Sequence, residues 1–179
     1  MNSKLIIFIT GASGVGKTTL LDNLKLKFSD RKNWEFLKFD SMDVPSTEEM
    51  IKEYGSAENW QRTKTYEWIN KMVTAFLDKE VIIMDGQANL EFIKAGFAIQ
   101  SFKKYKIVLI DCGQEIMVKR LVDGRQQAWL ASEDMKNWLK FLRKQAESFG
   151  EPIIDTSSAT PHQVAEQFIQ VLKSCGVKT

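Results

Sequence analysis

The sequence predicts an α/β fold in three layers: a five-stranded parallel sheet between helices, with a small helical lid. Two observations carry this. Apolar runs rich in β-branched or aromatic residues, LIIFIT (5–10), VIIMD (81–85) and KIVLID (106–111), have the unbroken hydrophobicity of strands buried on both faces. Helical patterns lie between them, and strand alternating with helix is what right-handed crossovers build into an α/β/α sandwich. WEFLKFD (34–40) and PIIDT (152–156) supply the other two strands.

The elements follow in chain order. The first strand runs through a glycine-rich turn into a helix over 17–28 whose leucines recur at helical spacing. Beyond the strand at 34–40, a helix over 47–54 opens on Ser46 with Glu49 three residues on, the spacing of a capping box. The next helix, 57–79, carries Trp60, Tyr66 and Trp68 at helical spacing, which reads as core before it reads as a pocket wall. Helices over 89–100, 114–123 and 133–148 follow the third and fourth strands. The last, 161–174, opens on Thr160 and Gln163, again a capping box, with Pro161 in the first turn, and stops at Gly176.

At 179 residues the chain fits a single domain, 1–179, long enough to bury roughly two thirds of its unfolded surface. Lys plus Arg is 25 against 23 acidic residues, a balance that argues against nucleic-acid or membrane partners held by bulk charge. Cys112 and Cys175 are far apart and outside any CxxC pattern, as expected of reduced thiols. The apolar stretch at the amino terminus is too short for a signal core or a membrane span, so the expected location is the cytoplasm, as a monomer or homodimer.

The turn after the first strand is specific. Gly11, Gly16, Lys17 and Thr18 complete G-x-x-x-x-G-K-[ST], strand before and helix after, which is the context this phosphate-binding motif requires. Its backbone N–H groups and the positive end of the following helix cradle an anion. Gly11, Ala12, Ser13, Gly14, Val15, Gly16, Lys17, Thr18 and Thr19 are the expected nucleotide contacts, with Gly14 adding freedom to the loop. Lys17 reaches the β and γ phosphates and Thr18 places its hydroxyl on Mg²⁺. The chain is therefore expected to be a P-loop NTPase-fold protein that binds ATP or GTP.

Regulatory GTPases are disfavoured, because N-K-x-D is absent and no D-x-x-G follows a hydrophobic strand. Hydrolytic ATPases are disfavoured too: Asp85 at the end of VIIMD is followed by Gly86 and Gln87, with no glutamate beside it to polarise water.

Along nearly its whole length the chain resembles the P-loop small kinases of the nucleoside-monophosphate kinase-like superfamily. The order strand, phosphate loop, helix, strand ending in Asp40, two helices, strand ending in DGQ, then KRLVDGR and a long helix is closer to its shikimate, gluconate and chloramphenicol phosphotransferase-type branch than to adenylate kinase. The resemblance implies an ATP- and Mg²⁺-dependent kinase that phosphorylates a small, anionic or hydroxyl-bearing acceptor. Asp40 is then the carboxylate that orients and deprotonates the acceptor, with Asp43 a weaker candidate. Asp85 holds Mg²⁺ beside Thr18.

Residues 41–79 become the acceptor-binding helical region, with Arg62 positioned like the arginine that clamps an acidic substrate in shikimate kinase-like enzymes. Residues 120–135 become the lid, with Arg120 and Arg125 covering the transferring phosphoryl group. Gln87 departs from both the FPR of adenylate kinase and the double glycine of shikimate kinase, and either reads the substrate or is an ordinary loop residue. Thr156, Ser157 and Ser158 fall where the family holds adenine, and His162 is expected at the surface. Two rivals stay open: a nucleoside-monophosphate kinase, and a nucleotide-binding switch or slow ATPase acting through a protein partner.

Overall fold

A computed structural model describes residues 4–41 and 44–179; Asp43 lies outside the described residues. Five parallel strands form one sheet in the order β2-β3-β1-β4-β5. β1 (Leu5–Thr10) is central, between β3 (Val81–Asp85) and β4 (Tyr105–Asp111), with β2 (Trp34–Lys38) and β5 (Ile153–Asp155) at the edges. Pleating sends alternate β1 side chains to opposite faces. Ile7 and Ile9 pack in the core with Leu20, Leu21 and Leu24 of α1 (Lys17–Lys27) and Phe168 of α7 (Pro161–Ser174). Ile6 and Phe8 pack with Trp68 and Ile69 of α3 (Ala57–Thr74) and Ile93 of α4 (Leu90–Ile99). Every residue of β1 is buried, as its continuous apolar run requires.

Both capping boxes form, at Ser46 for α2 (Thr47–Tyr54) and at Thr160 for α7. Gly176, at φ 84°, ends α7: its N–H bonds the Lys173 carbonyl while that of Val177 bonds Leu172. Trp60 and Trp68 are core residues.

Three boundaries differ from the sequence expectation. β2 stops at Lys38, because Phe39–Ser41 turn into a single 3₁₀ turn that buries Phe39, with the Ser41 hydroxyl donating to the Lys38 carbonyl at 2.6 Å. α3 stops at Thr74 rather than 79, where a turn lets Lys79 reach the Lys32 carbonyl (2.9 Å) on the way into β3. α5 (Gln114–Lys119) widens into a π turn over Arg120–Gly124, with the Arg125 N–H bonding the Arg120 carbonyl at 3.1 Å. α6 (Glu133–Phe149) then leads back to β5.

Candidate functional site

The loop of residues 11–16 leaves the carboxyl end of β1, where the sheet's connections diverge to either side and the crevice of an open α/β sheet lies. Two glycines are there for close approach. A Cβ on Gly11 would stand 2.3 Å from the Ile110 carbonyl oxygen, and one on Gly14 (φ 83°) would stand 2.9 Å from Leu121 of the π turn. Gly16 caps α1 with no side-chain acceptor, so the helix's first N–H groups remain to face an anion. The Lys17 ammonium folds back to donate to the Ala12 carbonyl at 2.9 Å.

Two cavities lie against this loop, and a third adjoins one of them through Gln87. The middle one, about 70 Å³, is walled by Ser13, Lys17, Thr18, Asp40, Asp85 and Gln87, together with Arg125. The Thr18 hydroxyl donates to Asp85 Oδ2 at 3.0 Å, and the Ser13 hydroxyl to Gln87 Oε1 at 2.9 Å. Burial pushes the Asp85 carboxyl above the ordinary aspartate range, against the opposing pull of Lys17 and of the Thr18 hydroxyl. Burial also pulls the Lys17 ammonium down, partly offset by Asp85 and Asp40 and reinforced by Arg125. Both charges are therefore held at a cost in a small polar space, the condition in which an arriving counter-charge gains most.

Asp40 is exposed on the turn after β2. Gly86 admits it there: a Cβ on Gly86 would stand 2.7 Å from Phe39 Cβ, so only glycine lets the turn press against the end of β3.

The second cavity, about 300 Å³, shares Gly14, Gly16 and Arg125 with the first and extends over Leu20, Thr156, Ala159, Pro161 and Val164. Its apolar wall and size suit a nucleoside. Arg120 lines it, away from the middle cavity, donating to Thr156 Oγ1 (2.8 Å) and the Thr156 carbonyl (2.6 Å). Thr156 in turn donates to the Val15 carbonyl at 2.8 Å, so Arg120 ties the β5 turn to the phosphate loop. Ser157 bonds Asp155 through its N–H and hydroxyl, and His162 is exposed on α7.

The third cavity, about 680 Å³, opens on the other side of Gln87, between the starts of α3 and α6. Glu58, Gln61, Asn89, Phe92, Asp134 and Trp138 contribute to its lining. An amide network braces it: Gln61 Nε2 donates to the Gln87 carbonyl at 3.1 Å, and Gln145 Nε2 to Asn89 Oδ1 at 2.9 Å. Arg62 is not in this lining; it is exposed, donates to Asn59, and lies over the Phe92 ring at 5.7 Å. Nothing in the sequence points to Gln61, Asn89 or Gln145, since isolated amides on helices carry no motif.

The residues fit a magnesium nucleotide. Among the described residues no three metal-ligating side chains cluster, and Mg²⁺ asks for less: one hydroxyl and one carboxylate, with phosphate and water completing the shell. Thr18 and Asp85, hydrogen-bonded to each other beside the loop, would supply such a pair.

A parallel sheet with this loop at its crevice and a nucleoside-sized cavity behind it defines a P-loop nucleotide-binding protein. Residues 7–136 match the family model described as AAA domain, and the chain belongs to that family. No curated protein matches it significantly. Its fold is that of the P-loop small kinases. It superposes on shikimate kinase from Acinetobacter baumannii in complex with shikimate with TM-score 0.65 at 16% identity, covering 99% of this chain and 97% of that one. A gluconokinase from Sinorhizobium meliloti gives 0.68 at 11% identity, covering 96% and 93%. Shikimate kinase from Aquifex aeolicus gives 0.63 at 20%, covering 97% and 99%. Among the described residues no helix is long and apolar enough to cross a membrane.

Proposed function

We propose that the protein is an ATP- and Mg²⁺-dependent small-molecule kinase acting in the cytoplasm. The observation that carries the reading is the connection of three cavities, with Arg125 shared by the first pair and Gln87 by the second. Phosphoryl transfer from ATP to a second molecule needs a phosphate space adjoining both a nucleoside space and an acceptor space. The solved kinases of like fold support the same reading.

Residues 11–19 hold the triphosphate, with Lys17 and Arg125 meeting the charge that develops on the transferring group. Thr18 and Asp85 hold Mg²⁺, which when bound screens the phosphate oxygens. Asp40 orients the acceptor hydroxyl and takes its proton; the acceptor oxygen gains the phosphoryl group, and ADP leaves with the electron pair of the broken P–O bond. Arg120 acts at one remove, by fixing Thr156 against the loop. Residues 41–79 shape the acceptor side and 120–135 form the lid, with Trp129 exposed upon it.

The test is a pair of variants assayed for nucleotide binding and for phosphoryl transfer across sugars, amino alcohols, hydroxy acids and nucleoside monophosphates. Lys17→Met is expected to lose nucleotide binding. Asp40→Asn is expected to keep it and lose transfer by about a hundredfold or more. Full transfer by Asp40→Asn would remove the base role, and ADP release that stays at a slow background with every acceptor would favour a nucleotide switch.

A further inference from the structure

The third cavity is sizeable and mixed in character, and its charge is one-sided. Glu58 in the first turn of α3 and Asp134 in the first turn of α6 are both in its lining, and no lysine or arginine is. Among the described residues neither carboxylate has an ion-pair partner. Both are exposed, each where a helix dipole favours negative charge, so the mouth of the cavity carries one sign toward whatever enters.

Two of the nearby cations are paired away from the lining: Lys64 with Glu67 at 2.7 Å, and Lys136 with Glu133. Arg62, also outside the lining, donates to the Asn59 amide and lies over the Phe92 ring. The rest of the wall mixes amides (Gln61, Gln87, Asn89, Asn137) with aromatic rings. Trp138 and Phe141 stack with ring centroids 5.4 Å apart, a π surface of the kind to which ammonium groups are drawn, whereas the Phe92 ring already has Arg62 over it.

We propose that this cavity selects an amine-bearing alcohol: a hydroxyl presented past Gln87 to Asp40 and the phosphate cavity, and a protonated amine held by Glu58 and Asp134 over the Trp138–Phe141 stack. Carboxylic acids and phosphate esters are repelled by the same two carboxylates. The selection rests on the kinase reading for its hydroxyl, and on the cavity's own lining for its charge. An anionic acceptor held by Arg62 has no counterpart in that lining.

The test uses the full chain with Mg²⁺ and a non-hydrolysable ATP analogue, and three probes sharing one skeleton: phenylethanolamine, phenylethylene glycol and mandelate. Binding is followed by calorimetry and by the Trp138 indole signal in NMR, assigned with Trp138→Phe. The amine is expected to bind at least about tenfold more tightly than the neutral diol, with mandelate weaker than both. Glu58→Gln combined with Asp134→Asn is expected to erase the preference, and each single change to reduce it.

Mandelate binding as tightly as the amine, amine binding indifferent to both substitutions, or no probe moving the Trp138 signal would overturn the proposal. Transfer is read separately by ADP release with ATP. Charge-selective binding of the amine without acceptor-dependent ADP release would uphold the cavity's selectivity and overturn the kinase reading. Phosphorylation of mandelate in preference to the amine would do the reverse.

Discussion

Asp85 and Asp111 end the two strands that flank β1, and both are buried, at 6% and 4% exposure, yet their surroundings are opposite. Asp85 faces a cavity, with a hydroxyl and a folded-back lysine for company, and burial holds its carboxyl above the usual range. Asp111 is locked to Arg143 of α6, whose guanidinium also donates to the Cys112 carbonyl at 3.0 Å. One carboxylate is under-compensated beside the phosphate loop, and the other pins α6 to the sheet. Similar positions on neighbouring parallel strands thus divide into a working side and a bracing side, and the difference is made by which helix delivers a cation.

Removing the brace has the largest expected effect on stability. Asp111→Ala leaves the Arg143 cation against the sheet without its partner, and breaking such a pair by one member costs about 3 kcal/mol when buried; with Arg143 side chain 40% exposed, about 2 kcal/mol is expected from urea unfolding. If Asp111 were instead part of the working side, nucleotide affinity of the folded variant would fall as well.

Neutralising the working carboxylate is expected to do the opposite. Asp85→Asn keeps an oxygen for the Thr18 hydroxyl and relieves the buried charge, raising stability by about 1 kcal/mol while Mg²⁺-dependent transfer is lost. A variant that is less stable than the parent would mean that Lys17 compensates Asp85 fully and that the contrast is false.

How far this contrast was legible in the sequence follows from its physics. Continuous apolar runs mark β1, β3 and β4 to within one residue, because a strand buried on both faces has no alternative pattern, while the partly exposed edge strands β2 and β5 carry polar residues and are marked to within two. Ser46 and Thr160 mark their helices because a cap is a local bond. The phosphate loop is legible as a fixed motif and Asp85 as a strand end, whereas Asp40, expected at the end of β2, lies two residues beyond it on the 3₁₀ turn. Arg143 carries no local motif, since its partner is 32 positions away and α6 must first pack across β4. Arg120 was expected over the phosphoryl group, but the π turn rotates it onto Thr156. The third cavity is the least legible part: its walls come from the first turns of α3 and α6, which only tertiary packing brings together.

Acid titration sharpens the contrast further. The folded value of Asp85 is raised, so its penalty is absent below the unfolded value of about 4 and complete once pH exceeds the folded value. The melting temperatures of the parent and Asp85→Asn are therefore expected to converge as pH is lowered toward 4 and to separate toward 7. A gap constant with pH would trace the difference to packing rather than charge.

A third strand end supplies the smallest effect and the control. Asp155 closes β5, exposed, and accepts from the Ser157 N–H at 2.7 Å and its hydroxyl at 2.6 Å, which hold its carboxyl below the usual range. Its contribution is present above the unfolded value and is lost as pH falls through the folded one, the reverse of Asp85. Asp155→Ala is expected to cost about 0.5–1 kcal/mol at neutral pH, the scale of a hydrogen-bonded turn open to water. That cost should shrink as pH falls, because the parent loses the same interaction by protonation. A cost as large as that of Asp111→Ala would mean that Asp155, through Arg143 and Arg120 nearby, belongs to the brace and that the bracing side extends across β5 to the nucleoside cavity.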